Sequence, residues 1–175
     1  MPLIFITGIS TAGKSAVAEE LSQRGYEAYD TEHDGISAWH DKKSGQRVAE
    51  MGKMPQRTKE WLSEHEWLIS IDWVSKIARK AKLKPIFLCG GSANERNVRA
   101  MCDIVIFLKT DEATIHKRVV NLRDHDYGTK AHELTLIIES NQQKEAEYHQ
   151  YGAIMIDATR SIDEVIDEIL EKAAF

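Results

Sequence analysis

Short apolar runs rich in β-branched and aromatic residues alternate with amphipathic stretches along most of this chain. Leu3-Ile4-Phe5-Ile6-Thr7 opens the pattern, a run too short for a buried helix and closed by Gly8, so it reads as a buried strand. Residues 15–24 then carry apolar positions at helical spacing and stop at Gly25. A second strand is expected over 26–29, ending at Asp30, and a third over 86–89, entered through Pro85 and left through Gly90-Gly91. Residues 104–108 and 153–156 make a fourth and a fifth. Ser161 and Glu164 form a capping box ahead of Ile162, Val165, Ile166, Ile169 and Leu170, so an amphipathic helix closes the chain. This alternation predicts an α/β fold: a three-layer sandwich with a five-stranded parallel sheet and helices on both faces.

Two stretches break the rhythm. Residues 39–54 lack helical periodicity, and Asp41-Lys42-Lys43-Ser44-Gly45-Gln46-Arg47 has the composition of a hairpin tip. From 56 to 80, Trp61, Leu62, Leu68, Ile69, Ile71, Trp73, Val74 and Ile77 fall at spacings that suit one or two helices. The region of about 36–80 therefore reads as an insertion reaching over a pocket, inside a single domain of residues 1–175. Its tryptophans are expected in the core, with Trp39 the one assigned to substrate. Farther on, Thr110-Asp111-Glu112 starts a helix bearing Ile115, Arg118, Val119, Leu122 and Arg123. A glycine-bearing polar turn over 124–130 precedes a long polar helix to about 150, and helix, cations and turn together look like a lid over about 123–132.

Composition narrows the classes. At 175 residues and 42% hydrophobic content the chain can bury a sizeable core, and a net charge of −5 argues against a nucleic-acid backbone as ligand. No apolar stretch approaches the ~20 residues that span a bilayer. The first apolar run is too short for a signal peptide, so a cytoplasmic monomer or homodimer without membrane contact is expected. Cys89 and Cys102 form no CxxC pair and are expected to be reduced and buried; none of the seven histidines stands in a zinc spacing.

The chemistry is concentrated at the ends of the strands. Gly8-Ile9-Ser10-Thr11-Ala12-Gly13-Lys14-Ser15 satisfies GxxxxGK[ST] between a strand and a helix, a cradle whose backbone N–H groups face phosphates. Lys14 reaches the β/γ oxygens and Ser15 offers a hydroxyl to Mg²⁺; Ala16 begins the helix whose N-terminus also favours the anion. After the second strand, Asp30-Thr31-Glu32-His33-Asp34-Gly35 holds three carboxylates. Asp30 is assigned to Mg²⁺ through water and to the attacking hydroxyl, and Glu32 and Asp34 to the substrate. Gly90 and Gly91 let a substrate approach the backbone, with Asn94 as a polar contact ahead of a helix over 94–101. Arg96 and Arg99, three apart, read as solvated. One of Arg118 and Arg123 is expected to meet the charge that spreads over the transferred phosphoryl group.

These residues resemble the small P-loop kinases, the group that includes shikimate kinase, gluconate kinase and the nucleoside and nucleotide monophosphate kinases. The resemblance covers nearly the whole chain and rests on the P-loop, the acidic turn, Gly90-Gly91, the arginines before the lid, and Asp157-Ala158-Thr159-Arg160 where that group packs adenine. It implies ATP and Mg²⁺ as cofactors, Arg118, Thr159 and Arg160 beside the nucleotide, and a small-molecule phosphoryl acceptor. The chain departs from shikimate kinase in lacking an arginine for shikimate's carboxylate just after the acidic turn. It is more similar to a branch of AAA-labelled or kinase-like bacterial proteins with a DT(D/E) turn, a G-x-S-x-N turn and a terminal DAT, a likeness that implies no substrate. A kinase is therefore expected, with a regulatory nucleotide switch as the alternative.

Overall fold

In the computed structural model, which describes residues 2–49, 58–121 and 128–173, the first apolar run is strand β1 (Leu3–Thr7), buried along its whole length. The P-loop leads into α1 (Lys14–Gln23) and then β2 (Glu27–Asp30). The insertion supplies β3 (Ser37–Asp41), β4 (Arg47–Ala49), α2 (Lys59–Glu64), β5 (His65–Ile69) and α3 (Ile71–Lys80). The chain then continues through β6 (Ile86–Cys89), α4 (Glu95–Arg99), β7 (Ile104–Lys109), α5 (Glu112–Val120), α6 (Ala131–Tyr151), β8 (Ile154–Asp157) and α7 (Ile162–Lys172).

Strands β2-β6-β1-β7-β8 form a five-stranded sheet, parallel throughout. A parallel sheet must be covered on both faces, and the period-2 geometry of its strands divides its side chains between two cores. Ile4, Ile6, Phe87, Cys89, Ile106 and Leu108 pack with α1, α5 and α7 on one face. Leu3, Phe5, Ile86, Leu88, Val105 and Phe107 pack with α3, Val98 of α4 and Tyr148 of α6 on the other. The five expected parallel strands are present; β2 and β8 each begin one residue later than their patterns suggest, and β7 runs on to Lys109. The free thiols behave as small core residues, and burial pushes that of Cys102 up to about 12.

The insertion departs from expectation. Residues 56–80 are not simply helical: β5 pairs antiparallel with β3, Trp39 opposite Trp67, and β4 completes a second, three-stranded sheet. His65, Trp67 and Ile69 alternate with Glu66 and Leu68, and cross-strand pairing with β3 outweighs the helical spacing of the longer window. The 41–47 turn is the hairpin tip, closed by the Asp41 amide donating to Gln46 O at 2.9 Å with Gly45 at φ 69. Helix α4 is shorter than the 94–101 expected. Arg123 and the first part of the anticipated lid lie outside the described residues.

Parallel strands deliver their carboxyl ends to one edge, and there Thr31 and Gly90 are locked together. The Thr31 amide donates to Cys89 O at 2.9 Å, while Gly90 N donates to Ile6 O at 3.0 Å. A Cβ on Gly90 would lie 2.1 Å from Thr31 Oγ1, far inside contact distance, although Gly90 itself has no unusual φ. Gly90→Ala is expected to destabilise the fold by about 1–3 kcal/mol, measured by urea unfolding. Thr31→Ala, which removes the two closest atoms, should restore part of that loss; an unchanged midpoint in the single variant would show that the contact does not constrain the edge.

Candidate active site

The P-loop is built on two left-handed residues. Gly13 sits at φ 99 and Thr11 at φ 70, the latter an unfavourable conformation for a β-branched residue and of the kind held in place only where surroundings over-determine it. Thr11 O accepts from Arg118 Nη1 at 3.0 Å, and Arg118 Nη2 donates to Ala158 O at 2.5 Å. Arg118 of α5 thus ties the cradle to the turn after β8, and burial holds its guanidinium below its ordinary value. Gly8 is closed in by Ala12 and the Leu108 carbonyl, each 2.9 Å from a Cβ placed there. Lys14 folds back so that Nζ donates to Gly8 O at 3.1 Å and Ile9 O at 2.7 Å. Burial lowers the Lys14 pKa, with Lys144 adding to this and Glu32, Glu95 and Asp30 opposing it.

Two cavities meet at this loop. The first, about 530 Å³, runs from Thr11–Ala16 past Asp30 and Gly90 to Arg118, Thr159 and Arg160. The second, about 700 Å³, lies between the small sheet and α6, and it takes in Gly8, Ile9, Trp39 and Gly91. Ser10, Lys14 and Glu32 line both. Of the residues assigned to the nucleotide, Gly8 and Ile9 thus line the second cavity, because they precede the turn and their carbonyls face Lys14. Gly90, assigned to substrate, lines the first cavity.

The acidic turn separates into distinct jobs. Asp30 accepts from the Glu32 and His33 amides at 2.9 and 3.3 Å, lies 2.9 Å from His33 Nδ1, and stands beside the Ser15 hydroxyl, which helps to hold its proton affinity down. Burial pushes its carboxyl up, but these hydrogen bonds outweigh burial and hold it below the ordinary carboxylate range. Asp34 does not reach either cavity: its carboxylate turns back to accept from the Asp30 amide at 2.9 Å, closing the turn. Glu32 makes no hydrogen bond through its side chain among the described residues and stands where the cavities join.

Asn94 likewise has a different role from the one its position suggests. Its amide grips β5 from both sides, accepting from the Ile69 amide at 3.0 Å and donating to Ile69 O at 2.9 Å. The Ala93 amide adds a bond to Trp67 O at 2.8 Å, so the loop after β6 carries the small sheet. Trp39 and Trp67 line the second cavity, while Trp73 packs on Tyr29 and Trp61 stacks on His65 at 3.9 Å. Arg99 is buried against Glu147 at 2.8 Å, whereas Arg96, three residues earlier, is exposed at the cavity wall. At the first cavity, the Thr159 amide and hydroxyl donate to Asp157 and Arg160 pairs with Glu168.

Glu95 and Lys144 carry no motif and were invisible to pattern reading. Glu95 is 6% exposed and accepts from Tyr148 Oη at 2.5 Å, Lys144 Nζ at 2.9 Å, the Ser92 amide at 3.0 Å and Thr7 Oγ1 at 3.4 Å. Burial and the adjacent Glu95 carboxylate push the Tyr148 phenol upward. A charged residue opening the short helix that follows the β6 loop was the one available signal for Glu95; Lys144 lies on a polar stretch of α6 and gave none.

A family model described as shikimate kinase matches residues 10–174. The fold is shared with shikimate kinase from Acinetobacter baumannii in complex with shikimate, at TM-score 0.64 and 15% identity over 99% of this chain and 93% of that one. It is also shared with a gluconokinase from Sinorhizobium meliloti, at TM-score 0.57 and 19% identity over 98% and 91% of the two chains. Deoxyadenosine kinase from M. mycoides with bound dATP gives TM-score 0.53 and 16% identity over 98% and 99%. At these identities the likeness is one of fold. No curated protein sequence matches the chain.

Removing the Asn94 clamp tests its assignment. Asn94→Ala leaves the Ile69 N–H and C=O without partners and should destabilise the protein by about 1–3 kcal/mol. Hydrogen exchange resolved by residue should show lost protection at Ile69. Full protection there, with only ligand affinity reduced, would return Asn94 to the substrate.

Proposed function

The chain belongs to the shikimate kinase family and is an ATP-dependent phosphotransferase, and we propose that it transfers the γ-phosphoryl group to a hydroxyl of a small acceptor held in the larger cavity. The observation that carries this reading is the pair Lys14 and Glu32, which line both cavities where they meet. Nucleotide on one side and acceptor on the other would bring the transferred group to that junction. Family membership also disfavours a regulatory switch without acceptor.

The residues take the following parts. Backbone amides of 10–15 cradle the phosphates, and Lys14 exchanges its carbonyl partners for the β/γ oxygens. Arg118 braces the loop, and the 157–160 turn receives adenine. Mg²⁺ fits the site: a hydroxyl and a carboxylate that line the same cavity, Ser15 and Asp30, are the oxygen donors it prefers, directly or through water. When bound, it neutralises charge on the β and γ phosphates. The acceptor oxygen forms the new bond to γ-phosphorus as the bond to the β,γ-bridging oxygen breaks, and ADP leaves. The proton passes to Glu32, whose carboxylate is unoccupied by other hydrogen bonds, rather than to Asp30, which is saturated with donors. Residues 36–80 serve as the acceptor-side insertion, and 123–132, including Arg123, as a lid that excludes water.

Single-turnover transfer beside ATP affinity tests these parts. Lys14→Ala should reduce transfer by about 10²–10³-fold, and Glu32→Gln by about 10²–10⁴-fold with ATP binding kept. Asp30→Asn should instead raise the Mg²⁺ concentration needed. Full transfer in Glu32→Gln would move the base elsewhere.

Nucleotide choice is a further outcome. The 157–160 turn offers backbone groups to an adenine edge, so ATP should bind more tightly than GTP in calorimetric titrations with Mg²⁺; the reverse order would displace the nucleotide assignment.

A further inference from the structure

Charge is unevenly spread over this chain. Its net charge is −5, yet Lys76, Arg79, Lys80, Lys82 and Lys84 place five of its 23 lysines and arginines within nine residues, with no acid among them. They occupy the second half of α3 and the turn that follows it, and all five are exposed. Glu27 pairs with two of them, Lys80 at 2.6 Å and Lys84 at 2.7 Å. Lys76, Arg79 and Lys82 make no hydrogen bond or ion pair through their side chains among the described residues. Between Lys82 and Lys84, Leu83 is 82% exposed. Its backbone is held: the Leu83 amide donates to Lys80 O at 3.0 Å, the Ala81 amide to Ile77 O at 2.8 Å, and Ala81 is buried.

Parallel topology sets where this face points. The turn feeds β6 at its first residue, Ile86, and Glu27, which the lysines grip, is the first residue of β2. The patch therefore lies at the amino ends of the strands, whereas the P-loop and both cavities lie at the carboxyl ends. A surface bound here leaves the cavities open. Lysines beside an edge strand also deter pairing with another chain, which accounts for Lys80 and Lys84 next to β2. It leaves Lys76, Arg79, Lys82 and the exposed leucine without a task.

The chemistry of the patch narrows its partner. Four of the five cations are lysines, compact point charges and not the planar forks that suit nucleic-acid recognition. Residues 76–84 hold no aromatic side chain on which a base could stack. A lysine cluster around an apolar side chain suits a broad sheet of negative headgroups, which demands no fixed geometry. No helix among the described residues is long and apolar enough to cross a membrane, so a contact of this kind is peripheral and differs from the spanning segment that hydropathy excludes.

We propose that the face formed by the second half of α3 and the 81–84 turn docks on an anionic lipid surface, its cations meeting headgroups, Leu83 entering the interface, and the phosphate cradle facing away. Flotation of the full chain with vesicles of phosphatidylcholine, with or without phosphatidylserine, tests this. Binding should need phosphatidylserine and fall as salt is raised. Lys76→Gln, Arg79→Gln and Lys82→Gln together should weaken it about a hundredfold, about fivefold for each charge, with the unfolding midpoint and the calorimetric ATP affinity unchanged. Leu83→Ser should weaken it further at every salt concentration. No binding to the phosphatidylserine vesicles, equal binding to neutral ones, or binding that survives the triple change overturns the proposal. Tighter binding of a single-stranded RNA or of polyglutamate than of the vesicles also overturns it, and would assign the patch to nucleic acid or to an acidic protein.

Discussion

A single buried carboxylate, that of Glu95, holds the working edge of this protein together. Taking an ion out of water costs several kcal/mol unless hydrogen bonds replace its hydration. Here they come from β1, the loop after β6, and two successive turns of α6. The cost of leaving that charge unpartnered fixes how far α6 can stand from the parallel sheet. Because α6 also lines the larger cavity, the same constraint bears on the space between that helix and the small sheet. Lys144, neutralising Glu95 from the cavity side, is thereby also placed near Lys14, whose hold on a proton burial lowers and Lys144 lowers further.

The division of labour in the acidic turn follows from the same accounting of donors. Asp30, Glu32 and Asp34 are chemically alike and close in sequence, yet they differ in what surrounds them. Asp30 is ringed by a hydroxyl, an imidazole and two amides. Asp34 is folded onto the backbone. Of the three, Glu32 alone makes no side-chain hydrogen bond among the described residues, at the meeting point of the cavities, and such a carboxylate is the one able to receive a proton or a ligand hydroxyl.

Much of the nucleotide half was legible in the sequence because its signals are local. The P-loop, the capping box at Ser161, and apolar runs bounded by glycine each depend on residues within a few positions of one another, so the parallel strands fell within a residue of their patterns. The small-sheet region was less legible because its determinants are distant pairings. β5 is a strand through its register with β3 some thirty positions earlier, and no window over 56–80 contains that information. Asn94 looked like a site residue since it follows a strand, and only the location of Ile69 reveals what its amide holds. Glu95 and Lys144 meet across 49 positions of chain.

The two faces of the parallel sheet have different exposure to change. The core beneath α1, α5 and α7 contains Ile9 and Ala12 of the P-loop, whereas Ile36 and Ile69 of the small-sheet region belong wholly to the opposite core. The small sheet joins the rest through a handful of bonds, from the loop after β6 and from the Ser37 amide to Thr31 O. Its surface can therefore be rewritten by substitution, insertion or grafting without disturbing the layer that shapes the phosphate cradle. One phosphoryl-donor chassis can in this way diverge toward different acceptors while its nucleotide half stays fixed, a separability that begins with nothing more than the alternation of side chains along a strand.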